Sequence, residues 1–144
     1  MGVFRVRVAI VLFLLASIAC VGDGTGLEGD DGGDEVTLSR DVQPIFTGNC
    51  TFSGCHAGSS PEQGMNLSAG QAFGSVVNVA ARELPGMNRV TPSQPDSSYL
   101  VHKVQGTHLA VGGSGSRMPL NRSPLSQSDI DLIRAWIQAG AQSN

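Results

Sequence analysis

Two cysteines and a histidine in one short segment offer the clearest chemistry in this chain. Cys50 and Cys55 are separated by four residues, and His56 directly follows the second cysteine. Covalent haem attachment uses two thiols and an adjacent histidine that binds the iron, although the usual cysteine spacing is two residues. Gly54 favours the wider turn that the longer spacing needs, because glycine adopts backbone angles that other residues resist. The segment predicts one covalently attached haem c.

The same residues fit two other arrangements. In an oxidising compartment, Cys50 and Cys55 would pair as a disulfide. With His56 and either His102 or His108, they would supply the two cysteines and two histidines of a closed tetrahedral zinc site. The motif by itself leaves a haem, a disulfide and a zinc site as alternatives.

A haem with two axial ligands needs a second one besides the histidine, and Met118 is predicted to supply it. Pro119 stiffens the backbone after this methionine, and the glycine-rich residues 112–115 before it allow the loop to wrap. A thioether ligand favours reduced iron and raises the reduction potential. Met65 and Met87 are interpreted as methionines that fill gaps in the core.

The N-terminus predicts export. Residues 1–19 contain two arginines followed by an apolar run over residues 8–19, which is the layout of a secretory signal peptide. The run is too short to cross a bilayer comfortably. Cys20 resembles the modified cysteine of a bacterial lipoprotein, with Ser17 where leucine is more usual. The chain is therefore predicted to be lipid-anchored through Cys20, on the periplasmic or cell-surface side of a bacterial membrane.

Residues 20–35 predict a disordered linker, since they are mostly glycine and acidic residues with little to bury. This linker carries six of the twelve acidic residues and so accounts for the net charge of -3. From residue 36 onward, seven Lys or Arg face six Asp or Glu. A nearly neutral domain argues against a nucleic-acid partner.

Residues 36–144 are long enough for one domain with one core. Apolar residues at helical spacing predict an all-α fold, a small helical domain with long loops, and few runs alternate as strands. The predicted helices run from near Ser39 to about Thr47, over Ala69 to Val77, from Asp96 or Ser97 past Val104, and from Ser126 to near Gly140.

The last of these helices has the strongest signals. Ser126 is placed to cap its start, and Asp129 completes the capping box. The apolar face consists of Ile130, Ile133, Trp136 and Ile137. Trp136 is interpreted as a core residue.

The order of these parts resembles the single-haem class I cytochrome c fold, and more closely the c-domains of exported bacterial proteins related to the planctomycete cytochrome c group. Residues 41–46 before the cysteines, residues 95–100 in the middle and the terminal helix all share in this resemblance. It covers nearly all of residues 36–141.

The resemblance implies that Cys50 and Cys55 form the thioether bonds, that His56 is the proximal iron ligand and that Met118 is the distal one. It implies an electron carrier that serves an unidentified redox protein. No nucleophile with its base and no pair of carboxylates in a shared site favours an enzyme. The alternative function is a haem-free lipoprotein, a binding or interaction module with a Cys50–Cys55 disulfide.

Overall fold

The computed structural model describes residues 35–144. The predicted signal peptide, the predicted lipid-anchor residue Cys20 and residues 20–34 of the predicted linker lie outside the described residues. Among residues 35–144, no helix has both the length and the apolar character needed to cross a membrane.

Four α-helices and one short hairpin form the framework of the described residues. The helices are α1 (Gln43–Asn49), α2 (Ala72–Val76), α3 (Tyr99–Gln105) and α4 (Gln127–Gln138). The antiparallel strands are β1 (Ala80–Ala81) and β2 (Leu84–Asn88). Shorter helical turns are a π-helical turn at Leu38–Val42 and 3₁₀ turns at Glu62–Gly64 and Pro95–Ser97.

The prediction of an all-α fold is wrong, because the chain between α2 and α3 forms an antiparallel hairpin. The pairing extends beyond β1 and β2, since the Arg89 N–H donates to the Val79 carbonyl at 2.7 Å and the Asn78 N–H to the Val90 carbonyl at 2.9 Å. A register irregularity lies between Ala80 and Ala81. The described fold is therefore mixed, and β2 of the hairpin contacts α3.

The first predicted helix is present, and its predicted start near Ser39 lies within one residue of the observed helical start at Leu38. A π-helical turn begins at Leu38, and the Thr37 side chain accepts a hydrogen bond from the Arg40 N–H at 3.2 Å. Pro44 lies in the first turn of α1, directly after this turn. Proline has no N–H to donate, so the first α-helical turn tolerates it.

The other three helix predictions are confirmed with shifted ends. Helix α2 is shorter than predicted, and α3 follows the 3₁₀ turn at Pro95–Ser97. Helix α4 begins after Ser126, whose hydroxyl accepts a hydrogen bond from the Asp129 N–H at 3.1 Å as the capping pattern predicted.

The core lies where α4 packs against α3 and the π-helical turn before α1. All four residues of the predicted apolar face of α4 are buried, and Trp136 is fully enclosed. The indole Nε1–H donates to the Gln142 carbonyl at 2.9 Å, so the polar atom of this large side chain is also satisfied. This core holds α1, directly after which the cysteine segment begins.

Candidate functional site

The segment from Cys50 to His56 folds back on itself directly after α1. The Cys50 N–H donates to the Phe46 carbonyl at 2.8 Å, and the Cys55 N–H donates to the Phe52 carbonyl at 2.9 Å. Gly54 has a φ of 75°, a value that suits the third position of a type II turn. Residues 52–55 therefore form a tight turn of their own.

This turn brings the backbone of His56 back to that of Cys50. The His56 N–H donates to the Cys50 carbonyl at 3.1 Å, so the backbone of the histidine meets that of the first cysteine. On the far side, the His56 carbonyl accepts a hydrogen bond from the Leu67 N–H at 2.8 Å. The wider cysteine spacing is thus absorbed locally, and both cysteines and the histidine remain together.

Cys50, Cys55, His56 and Met118 all line one open cavity of about 340 Å³. Met118 reaches this cavity from a loop that is distant in sequence from the cysteine segment. The apolar part of the lining includes Phe46, Leu67, Leu100, Val104, Leu125 and Ile133. The structure therefore brings all four predicted cofactor residues to a single apolar cavity.

His56 is a buried imidazole with an unused nitrogen. Its residue is only 7% exposed, and its Nδ1 atom has no hydrogen-bond partner. Burial lowers the pKa of His56, and the nearby carbonyls of Met65 and Glu62 only partly oppose this shift. The imidazole is therefore neutral near pH 7, which is the form that binds metal ions.

The two thiols are free and partly buried, so the alternative disulfide between them is not formed in this structure. Burial raises the pKa of Cys50 to about 11, and the neighbouring Cys55 adds to the shift. Both effects disfavour the thiolate at Cys50. The two thiols are nonetheless close enough to interact electrostatically.

We expect iodoacetamide to alkylate Cys50 slowly in the folded haem-free chain at pH 8. A thiol pKa near 11 leaves roughly 100-fold less thiolate than in the unfolded chain, and the thiolate is the reacting form. Because the folded pKa is the higher one, the difference shrinks as the pH rises from about 9 to 11. Peptide mass spectrometry measures the rate, with the urea-unfolded chain as control. Equal rates at pH 8 in both states would contradict the buried placement.

Met118 is held at the cavity by its own backbone. Its N–H donates to the Lys103 carbonyl at 2.9 Å, and Pro119 after it is buried. Met65 also lines the cavity and packs against the core, whereas Met87 lies outside the lining. Two methionines therefore face the space in which one axial ligand was predicted.

The other two histidines lie outside the cavity lining. The ring of His102 is hydrogen-bonded through Nδ1 to the Thr107 hydroxyl at 2.8 Å and through Nε2 to the Asp96 carbonyl at 3.0 Å. His108 Nε2 is bonded to the Gly115 carbonyl at 3.0 Å. Within residues 35–144, no three side chains of His, Cys, Asp or Glu are grouped to hold a metal ion. The alternative zinc site is therefore not assembled in the described part of the chain.

Several charged and polar residues of the lining were not predicted from the sequence. Arg89 is buried, and its guanidinium donates to the carbonyls of Ser75 and Gln63 at 2.6 Å each. Lys103 and Glu83 form an ion pair of 2.6 Å in the same wall. The one sequence signal that could have pointed to this ion pair was the position of Lys103 on the buried side of a predicted helix.

Two loops meet beside the cavity. The Arg122 guanidinium lies 4.0 Å from the centre of the Phe52 ring, within the range of a cation–π contact. Phe52 belongs to the turn between the cysteines, and Arg122 follows Met118 in sequence. This contact joins the cysteine segment to the chain that carries the methionine.

No protein-family model, curated protein or solved structure matches this chain.

Proposed function

We propose that this chain is an exported electron-transfer protein that resembles class I cytochromes c and carries one covalent haem c. The observation that supports this proposal most is the shared position of four residues. Cys50, Cys55, His56 and Met118 line one cavity although the methionine is far from the others in sequence. These are the side chains that covalent attachment and two axial iron bonds require.

The residues present fit a haem. Cys50 and Cys55 are free to form thioether bonds, and the buried neutral imidazole of His56 suits an iron ligand. The apolar lining would exclude water from the porphyrin faces. When bound, the haem supplies an iron that changes its charge by one electron.

The proposed role is that of an electron carrier and not of an enzyme. A histidine and a methionine would occupy both axial positions, so substrates would find no open iron position. The thioether of Met118 would favour the reduced state and raise the potential. The electrons would be exchanged with a redox protein, and no nucleic-acid partner is proposed.

The proposed location rests on the sequence before the described residues. The signal peptide at residues 1–19 would direct export, and a lipid on Cys20 would anchor the chain to a membrane. The linker at residues 20–35 would separate the anchor from the domain. Covalent haem attachment in bacteria also requires export, so the proposed location is consistent with the proposed haem c.

Redox titration of the protein, expressed with a cytochrome c maturation system, tests the proposed function. We expect a coloured protein with one reversible transition that fits a one-electron process. The matched control is the double variant Cys50→Ser and Cys55→Ser, which should lose the covalently bound colour. A colourless wild-type protein with a Cys50–Cys55 disulfide would overturn the proposal and favour the haem-free module.

A further inference from the structure

Lys103 is the only lysine in the sequence, and it is buried in the cavity wall with 7% of its surface exposed. Lysine is rarely buried unless its charge is paired. Its ammonium group lies 2.6 Å from a carboxylate oxygen of Glu83, and the side chain of Glu83 is only 18% exposed. Glu83 therefore pairs the charge of the one lysine, which is buried in the cavity wall.

The ion pair forms part of a larger cluster with Tyr99. The Tyr99 hydroxyl donates to the same Glu83 oxygen at 3.1 Å and accepts from the Ser114 N–H at 3.2 Å. The Lys103 ammonium donates to the Ser114 carbonyl at 3.2 Å. Both backbone groups of Ser114 are thus bonded to the cluster of Glu83, Tyr99 and Lys103, which we call the loop anchor.

The glycines on either side of Ser114 allow the loop to lie directly on the loop anchor. A Cβ atom at Gly113 would stand 2.6 Å from Cε2 of Tyr99, which is closer than van der Waals contact permits. A Cβ atom at Gly115 would collide with the Glu83 carboxylate, and the φ of Gly115 is 74°. Both positions require glycine for this close approach.

The anchored loop leads directly to Met118. The Met118 N–H is bonded to the Lys103 carbonyl at 2.9 Å, so Lys103 holds the loop through its side chain at Ser114 and through its backbone at Met118. All three residues of the loop anchor line the same cavity as Met118. The cluster and the methionine therefore share one wall and one loop.

We infer that Glu83, Tyr99 and Lys103 are positioning residues that hold residues 112–118 so that the Met118 thioether stays at the iron position. The inference rests on the proposed function, because the iron position exists only if haem is bound. Tyr99 and Lys103 hold Ser114 directly, and Glu83 fixes both of them because its carboxylate oxygen is hydrogen-bonded to the Tyr99 hydroxyl and the Lys103 ammonium. Breaking the buried ion pair leaves an uncompensated charge, so without Glu83 the loop would leave the wall more often and withdraw the methionine.

Two conservative variants test the inference. Tyr99→Phe removes one hydroxyl and keeps the ring in the core, and Glu83→Gln removes the charge that faces Lys103. We expect each variant to raise the ratio of methionine-free to methionine-bound ferric haem by about tenfold, seen as loss of the weak red band of methionine-bound haem. We also expect a lower reduction potential and amide exchange at Ser114 and Met118 that is about tenfold faster.

The matched control is Asp96→Asn, which breaks the 2.7 Å pair with Arg134 on the surface, where the Asp96 side chain is 84% exposed. This variant should leave the red band, the potential and the two amide exchange rates unchanged. If Glu83→Gln fails to fold, Tyr99→Phe alone decides. Unchanged band, potential and amide exchange in folded Tyr99→Phe would overturn the inference.

The amide exchange separates this inference from the proposed function. It is measured in the wild type and in Tyr99→Phe whether or not the purified protein contains haem. A wild type without covalent haem, together with faster exchange in the variant, would show that the loop anchor is real and that the proposed function is wrong. A wild type with methionine-bound haem, together with unchanged amide exchange in Tyr99→Phe, would support the proposed function and show that the loop anchor does not hold the loop.

Discussion

Replacing Met118 with alanine is expected to keep the covalent haem and to lower the reduction potential. Loss of the thioether removes the ligand that favours reduced iron. A fall on the order of 0.1 V or more is expected, because axial ligands shift haem potentials over about 0.8 V. Potentiometric titration of the purified protein measures the change, and its mass shows whether the haem is still attached.

Two other methionines serve as controls for this result. Met87 lies outside the cavity lining, so Met87→Ala should leave the potential unchanged. Met65 lines the cavity and tests the choice of ligand directly. A large fall in Met65→Ala together with an unchanged Met118→Ala would transfer the distal role to Met65 and contradict the assignment.

Replacing Trp136 with alanine is expected to lower the free energy of unfolding by about 3–5 kcal/mol. Trp136 is completely buried in the core between α4 and its neighbours, and its indole also donates to the Gln142 carbonyl. The substitution leaves a cavity and removes the hydrogen bond to the Gln142 carbonyl. Urea unfolding followed by circular dichroism measures the loss.

Two further variants serve as comparisons for Trp136→Ala. Trp136→Phe keeps much of the apolar volume, so a smaller loss is expected than for alanine. Gln138→Ala changes an exposed position of the same helix and should shift stability by no more than about 0.5 kcal/mol. Equal stability of Trp136→Ala and wild type would show that α4 does not pack as described.

The helices were predictable because their signals are local. Ser126 caps α4, and the buried face from Ile130 to Ile137 follows the helical period that the sequence displays. The π-helical form of the turn at Leu38–Val42 was not predicted, because such a turn leaves no distinct sequence pattern. Local rules describe an α-helix well and a π-helical turn poorly.

The hairpin was not predictable in the same way. Strand β2 contains Pro85 and Gly86, which are typical of loops. Its pairing rests on backbone hydrogen bonds such as that between the Arg89 N–H and the Val79 carbonyl, and these do not depend on side-chain type. A two-stranded hairpin with exposed strand residues also lacks the alternation of apolar and polar residues that marks a strand.

In the candidate site, too, the residues with local sequence signals were predicted and those brought together by folding were not. The cysteine segment carries its chemistry in adjacent residues, and Met118 stands in a distinctive loop, so the sequence indicated all four side chains. Their shared cavity is observed, while their roles toward haem stay predictions. The loop anchor was missed because Lys103 meets Glu83 and Ser114 only after the hairpin and the glycine loop have folded against α3.

The most direct test of covalent haem attachment is the mass of one tryptic fragment. Residues 41–82 contain Cys50 and Cys55 and no internal lysine or arginine, so trypsin should release them as one peptide. After maturation in an exporting host, the peptide is predicted to carry the mass of one haem bound through both cysteines. A haem-free peptide two hydrogens lighter than the reduced form, from a Cys50–Cys55 disulfide, would contradict the account.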